Sequence, residues 1–172
     1  MATATITPDQ NTVVAESFIA APPARVFEAI TDPAQTARWW GQTGLYRLTE
    51  TTADLRPGGK WRSAGIGDDG TKFHVQGEYL EIDPPRRLVH TWTGSYTGEL
   101  KTTVYWELEP TDVHGLHPAG PKKAGTGTLV RVRQEGFAAF PAQAASHTEG
   151  WKLVLGWLEG YVEKGTTVET RQ

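Results

Sequence analysis

The 172-residue chain contains no cysteine. That absence excludes disulfide staples, thiolate metal sites and cysteine nucleophiles together, and it sets the expectation of a cytoplasmic protein. No run of about 18 apolar residues occurs, so no membrane span is expected. The opening stretch MATATITPDQ has neither the positive charge nor the apolar centre of a secretory signal. Positive charge is not in surplus: 17 Lys+Arg stand against 20 Asp+Glu, a net charge of −3, with the signs interspersed. No basic face results, and nucleic acid is not an expected partner. There is no G-x-S-x-G elbow, no H-E-x-x-H, no phosphate-binding lysine loop and no legible serine–histidine–acid arrangement. What is abundant is tryptophan, with seven residues. Aromatic side chains bury large areas and also line apolar pockets.

The strongest local pattern lies near the end, PAQAASHTEGWKLVLGWLEGYVEK over residues 141–164. Pro141 suits a first helical turn, where its missing N–H is not needed. His147, Trp151, Val154, Leu155, Leu158 and Val162 then recur every three or four residues, one stripe of a helix of about six turns. Gly165 suits its stop. Gly150, Gly156 and Gly160 each lower helix propensity by about 1 kcal/mol. Either another backbone or a ligand comes close there, or a buried helix simply tolerates them.

Upstream, residues 12–20 read as a strand, Val26, Phe27 and Ile30 mark a short helix, and residues 34–40 a second one. From Gly41 on, the pattern is strands: 45–54, 60–64, 72–82, 86–93, 100–109 and 128–134. Pro57-Gly58-Gly59, the stretch 65–70 and Asp83-Pro84-Pro85 are the turns between them. If Pro84 and Pro85 form a two-residue loop, Tyr79 lies opposite His90 and Gly77 opposite Trp92. Residues 110–126, rich in glycine and proline, read as a long hairpin tip. The expected fold is α+β: a strongly bent antiparallel sheet of about seven strands wrapped around the C-terminal helix, with two short helices after the first strand. Residues 1–11 are expected to be a flexible arm, 12–165 one domain and 166–172 a tail. A bent sheet gripping one helix leaves a gap where it does not close, and that gap is a cavity.

A family resemblance rests on Ala21-Pro22-Pro23 before Val26-Phe27, on Ala37-Arg38-Trp39-Trp40, and on residues 54–61, DLRPGGKW. It continues through residues 77–89, GEYLEIDPPRRLV, then Thr91-Trp92, and ends at Gly150-Trp151. Over roughly residues 12–164 the chain resembles the activator-of-heat-shock-ATPase-like branch of the START, or birch-pollen-allergen-like, superfamily (SRPBCC). The resemblance implies a helix-grip fold with a hydrophobic cavity. Its members bind lipids, hormones or polyketides, act as aromatase/cyclases, or touch a chaperone. Some bacterial relatives sit with antibiotic pathways, including enediynes, as biosynthetic or self-resistance proteins. Fold alone does not choose among these.

The candidate ligand-binding residues are Trp39, Trp61, Val75, Tyr79, His90, Trp92, Val104, Trp106, Trp151, Leu155 and Leu158. His90 and His147 are the candidate acid/base groups, since a histidine against an apolar wall titrates near neutrality; His74 points away from His90 in the register above. Residues 65–70 spell G-x-G-x-x-G, but strands flank them where a dinucleotide site needs a helix. Asp112, His114 and His117 sit in a glycine–proline loop without the further ligands a closed zinc site needs. No cofactor or metal is therefore expected. The expected function is binding of a hydrophobic, polyketide-like or lipid-like molecule. A cyclase or aromatase using the same cavity and a chaperone-ATPase-activating module are the alternatives.

Overall fold

Three prolines set the helix starts. Pro23, Pro33 and Pro141 each occupy a first helical turn, where the absent N–H has no intrahelical partner to lose. They open α1 (Pro23–Thr31), α2 (Pro33–Trp39) and α3 (Pro141–Lys164). Asp32 separates the first two and caps α2, its Oδ1 accepting from the Ala34 N–H at 3.0 Å. At the far end of α3, Gly165 takes a left-handed φ of 71°. The Gly165 and Thr166 N–H groups then donate to the Tyr161 and Gly160 carbonyls, closing the last turn.

The computed structural model describes residues 2–112 and 127–171. Besides the helices they form β1 (Thr3–Ile6), β2 (Thr12–Ile19), β3 (Gly41–Gln42), β4 (Tyr46–Ala53), β5 (Lys60–Gly67), β6 (Lys72–Asp83), β7 (Arg87–Gly94), β8 (Thr102–Thr111) and β9 (Gly127–Glu135). All pair antiparallel in one sheet of order β1-β2-β9-β8-β7-β6-β5-β4-β3. The α+β helix-grip expectation holds, with nine strands among the described residues rather than about seven. One addition is the two-residue β3. The other lies inside the expected flexible arm: a turn in which Gln10 N–H donates to the Thr7 carbonyl folds residues 3–6 back onto β2. The β-branched Thr3, Thr5 and Ile6 suit that edge position.

Other boundaries move as well. β5 runs on through Ile66 and Gly67, which pair with the start of β6 and with Tyr46 of β4, so the hairpin tip is residues 68–71 rather than 65–70. β8 extends to Thr111, pairing Pro110 with Thr128, so the expected loop loses its first two residues to the sheet. Residues 113–126 of that loop, including His114 and His117, lie outside the described residues.

The core is asymmetric, and this creates the site. α3 packs on β1 and β2 at one end of the sheet, and α1 lies beneath β8 and β9. Val13, Ile19, Val26, Val130, Leu155 and Leu158 fill that end and are fully buried. At the other end the sheet curls until β4 meets α2. Among the described residues no helix packs closely on β5, β6 or β7, and that part of the inner face is left for a cavity.

Candidate ligand cavity

The hydrogen-bond register decides which side chains look inward. Across one row, Thr51, Ser63, Val75 and Gly94 are successive partners on β4 to β7. Two residues along lie Ala53, Trp61 and Gly77. A third row carries Tyr79, His90, Val104 and Gln134 on β6 to β9. With α3 opposite and the α1–α2 elbow at the side, these rows enclose a cavity of about 470 Å³. That volume lies in the range of small-molecule sites.

Glycines under aromatic rings shape its floor. A Cβ on Gly65 would stand 2.4 Å from the Phe73 ring, one on Gly77 2.7 Å from the Trp61 indole nitrogen, and one on Gly94 3.2 Å from the Trp92 ring. Each ring lies on bare backbone. The facing wall is also aromatic. Trp106 and Trp151 meet edge to face at 5.3 Å, and Trp40 meets Trp151 at 6.3 Å.

The polar groups of the cavity fall into two sets. One set is satisfied internally. Trp106 Nε1–H donates to His90 Nε2 (3.2 Å), so Nε2 is the lone-pair nitrogen, and Nδ1–H donates to the Thr91 carbonyl (3.0 Å). Burial holds the His90 pKa down at about 4 against the smaller opposing pull of the Thr91 carbonyl. His90 is therefore a neutral imidazole with both nitrogens engaged. Gln134, 1% exposed, accepts from Trp151 Nε1–H and donates to Thr102 Oγ1, both at 2.8 Å. The second set has no protein partner among the described residues. Thr51 Oγ1 is buried and unbonded, and the Ser63 and Tyr79 hydroxyls make no hydrogen bond although their residues are only 6% and 5% exposed. Burial pushes the Tyr79 phenol up to about 12, so it remains a donor. His147 donates Nδ1–H to the Gln143 carbonyl (2.8 Å), which leaves Nε2 unpaired. Lys72, at the exposed rim, is the one Lys, Arg, Asp or Glu among the described lining residues. Among the described residues no cluster of histidine and carboxylate side chains is suited to a metal ion.

A family model for "Activator of Hsp90 ATPase homolog 1-like protein" matches residues 20–115, more than half of the chain. The chain belongs to that family. The Activator of Hsp90 ATPase homolog 1-like assignment agrees with solved structures that share the fold. A Rhodobacter sphaeroides protein superimposes with a TM-score of 0.73 at 20% identity, over 92% of this chain and 96% of its own. CalU16 from Micromonospora echinospora does so with 0.60 at 22% identity, over 96% and 85%. DynU16, a protein in the dynemicin biosynthetic locus, gives 0.67 at 23% identity, over 94% of this chain and 50% of its own. No curated protein matches the chain.

Within this family frame, most of the sequence-nominated residues converge. Trp61 of β5, Val75 and Tyr79 of β6, His90 and Trp92 of β7, and Val104 and Trp106 of β8 line the cavity, as do His147 and Trp151 of α3. Three nominated residues do not. Trp39 is fully buried in the core, its Nε1–H on the Ala29 carbonyl at 2.9 Å, and the adjacent Trp40 lines the cavity instead. Leu155 and Leu158 are fully buried among the core residues, and the cavity side of α3 carries Gly150 and Val154. His74 faces the other side of the sheet, its N–H on Ser95 Oγ at 3.1 Å. Sequence reasoning missed the elbow residues Ile30, Pro33 and Thr36 and the strand residues Tyr46, Thr51 and Ser63. The last two were findable, since period-two alternation forward from Trp61 reaches Ser63 and back from Ala53 reaches Thr51 on the same face.

The α3 glycines sort into two kinds. A Cβ on Gly150 would meet nothing within 4 Å, and Gly150 lines the cavity, so its missing side chain leaves room there. Gly156 also meets nothing within 4 Å and is exposed, which is the tolerated case.

Proposed function

We propose that the protein binds a hydrophobic small molecule, polyketide-like or lipid-like, in the cavity between the sheet and α3. Its setting is natural-product biosynthesis or self-resistance in the cytoplasm. One observation carries this reading: an apolar, aromatic-walled cavity of about 470 Å³ between the sheet and α3. An apolar wall left against water is unfavourable, and covering it with an apolar ligand removes that cost. The Thr51, Ser63 and Tyr79 hydroxyls supply the few convergent polar groups that orient a ligand. The place of the structurally similar DynU16 in the dynemicin biosynthetic locus supports the pathway setting.

The test is titration with a panel of aromatic polyketides and fatty acids, followed by tryptophan fluorescence, with the ligand weighed by mass spectrometry afterwards. Saturable quenching with unchanged mass and retention is the expected result; a flat response to every class refutes it. A loss of water from the ligand, or an isomer of unchanged mass with a new chromatographic retention, supports the aromatase or cyclase reading. With His90 internally satisfied, that chemistry falls to His147, and His147→Ala would then abolish turnover without unfolding the protein. The family description also names activation of a chaperone ATPase. Stimulation of such an ATPase, unaffected by blocking the cavity, would favour that third reading.

A further inference from the structure

We propose that the cavity selects neutral hydroxylated aromatic molecules, and that His147 Nε2 accepts the hydrogen of the ligand hydroxyl. This rests on the cavity-binding reading above and narrows it. A carbonyl offers only lone pairs, so the contact between His147 Nδ1 and the Gln143 carbonyl at 2.8 Å places the ring proton on Nδ1. Nε2 is then a lone-pair acceptor, and it has no partner among the described residues. The ring is held in place: it stands edge-on to Trp92 at 4.8 Å and leans on Phe137 at 5.2 Å. Burial lowers its pKa, which keeps it neutral.

An acceptor on an apolar wall attracts an O–H and repels a carboxylate. No aspartate, glutamate or arginine lines the described cavity, and Lys72 stands at the exposed rim. The other unpartnered groups, the Thr51, Ser63 and Tyr79 hydroxyls and the buried Trp61 Nε1–H, are neutral and can meet the lone pairs of the same ligand hydroxyl. His90 and Gln134 have their polar atoms engaged by protein partners. His147 is thus the histidine with an atom to offer, and aromatic rings surround the space it faces. The ligand class that satisfies both is a phenol on a planar ring system, in preference to a fatty acid.

The test compares 2-naphthol, its methyl ether 2-methoxynaphthalene, and 2-naphthoate by calorimetry with the intact protein. Naphthol should bind several-fold to about tenfold more tightly than the ether, as one neutral hydrogen bond gives, and naphthoate should bind more weakly than both. In His147→Phe the naphthol-to-ether ratio should fall to about one, with the ether still bound. In His147→Gln, whose amide oxygen accepts, part of the preference should return. A readout without substitution is the ¹⁵N resonance of His147 Nε2, which should move with naphthol and not with the ether. Equal affinity of naphthol and ether in the unaltered protein, or a preference that survives in His147→Phe, overturns the inference alone. Failure of all three probes while a member of the polyketide and fatty-acid panel still binds overturns the inference alone; failure of the probes and of the whole panel overturns the cavity reading with it.

Discussion

His90 ties the stability of this protein to pH in a way that can be measured. Its folded-state pKa is about 4 against an ordinary 6.5, with burial as the first cause. As pH falls below about 6.5, the unfolded chain takes up a proton that the folded chain refuses. The stability His90 contributes is therefore complete above pH 6.5 and is lost as pH falls from 6.5 to about 4. At 1.36 kcal/mol per pH unit, that interval corresponds to roughly 3 kcal/mol, most of it gone by about pH 4.5. For a chain of this length the loss corresponds to roughly 5–10 °C in Tm. The matching variant is His90→Gln, whose amide can still accept from Trp106 Nε1–H but cannot titrate. Urea unfolding of both proteins at about pH 7.5, 6.0, 5.0 and 4.5 gives the comparison. Every other ionisable group is common to both proteins and drops out of the difference. The unaltered protein should lose about 2–3 kcal/mol more than the variant between pH 7.5 and 4.5. Parallel profiles would refute the reasoning, since they would mean that His90 is wetted or charged in the folded state.

Other predictions probe the cavity and its supports. Trp151→Phe removes the donor to Gln134 Oε1 and leaves a buried acceptor unpaired; it should cost about 1–3 kcal/mol by chemical unfolding, and combined with Gln134→Leu it should cost less than the sum of the single changes. Gly156→Ala places a methyl in open space on α3 and should raise stability by about 0.5–1 kcal/mol. Gly77→Ala drives a Cβ to 1.9 Å from the Thr91 carbonyl oxygen and should cost about 3 kcal/mol or more, seen as a sharp fall in Tm. Gly150→Phe should leave Tm nearly unchanged while weakening any cavity ligand more than tenfold in calorimetry, because its side chain enters the void.

Local patterns made the frame of this fold legible. The span of α3 follows from Pro141, the heptad-like stripe and Gly165, and it agrees with Pro141–Lys164. Strand alternation put His90, Tyr79 and Val75 on one face, and they line one cavity. The facing pair Tyr79 and His90 is correct for an instructive reason. The β6–β7 loop holds three residues, not two, because Asp83 pairs with Arg87. A bulge at Leu80 absorbs the extra residue and restores the expected register beyond it. Two shifts that cancel cannot be read from alternation.

What was illegible depends on where distant elements settle. Trp39 and Trp40 are neighbours of identical type, and only the seating of α2 sends one to the core and one to the cavity. The helix stripe omitted Trp157 and Tyr161, which are buried. They are covered from a second side: Trp157 Nε1–H reaches Gln42 Oε1 (3.2 Å), Tyr161 OH reaches Gln35 Oε1 (3.1 Å), and Arg171 stacks over Trp157 while donating to the Trp39 and Gly41 carbonyls. An apolar arc widened by a second contact loses its single-stripe periodicity.

The rings that lie on Gly65, Gly77 and Gly94 make the cavity floor separable from the sheet beneath it. Phe73, Trp61 and Trp92 cover glycine backbone, and the strands there pair through main-chain N–H and C=O groups rather than through the rings. Exchanging one of these rings for a smaller side chain would deepen the floor locally and leave the register intact. Within one unchanged sheet, the size and outline of the accepted molecule can therefore be revised ring by ring, so a lineage can change its ligand without first having to refold its scaffold.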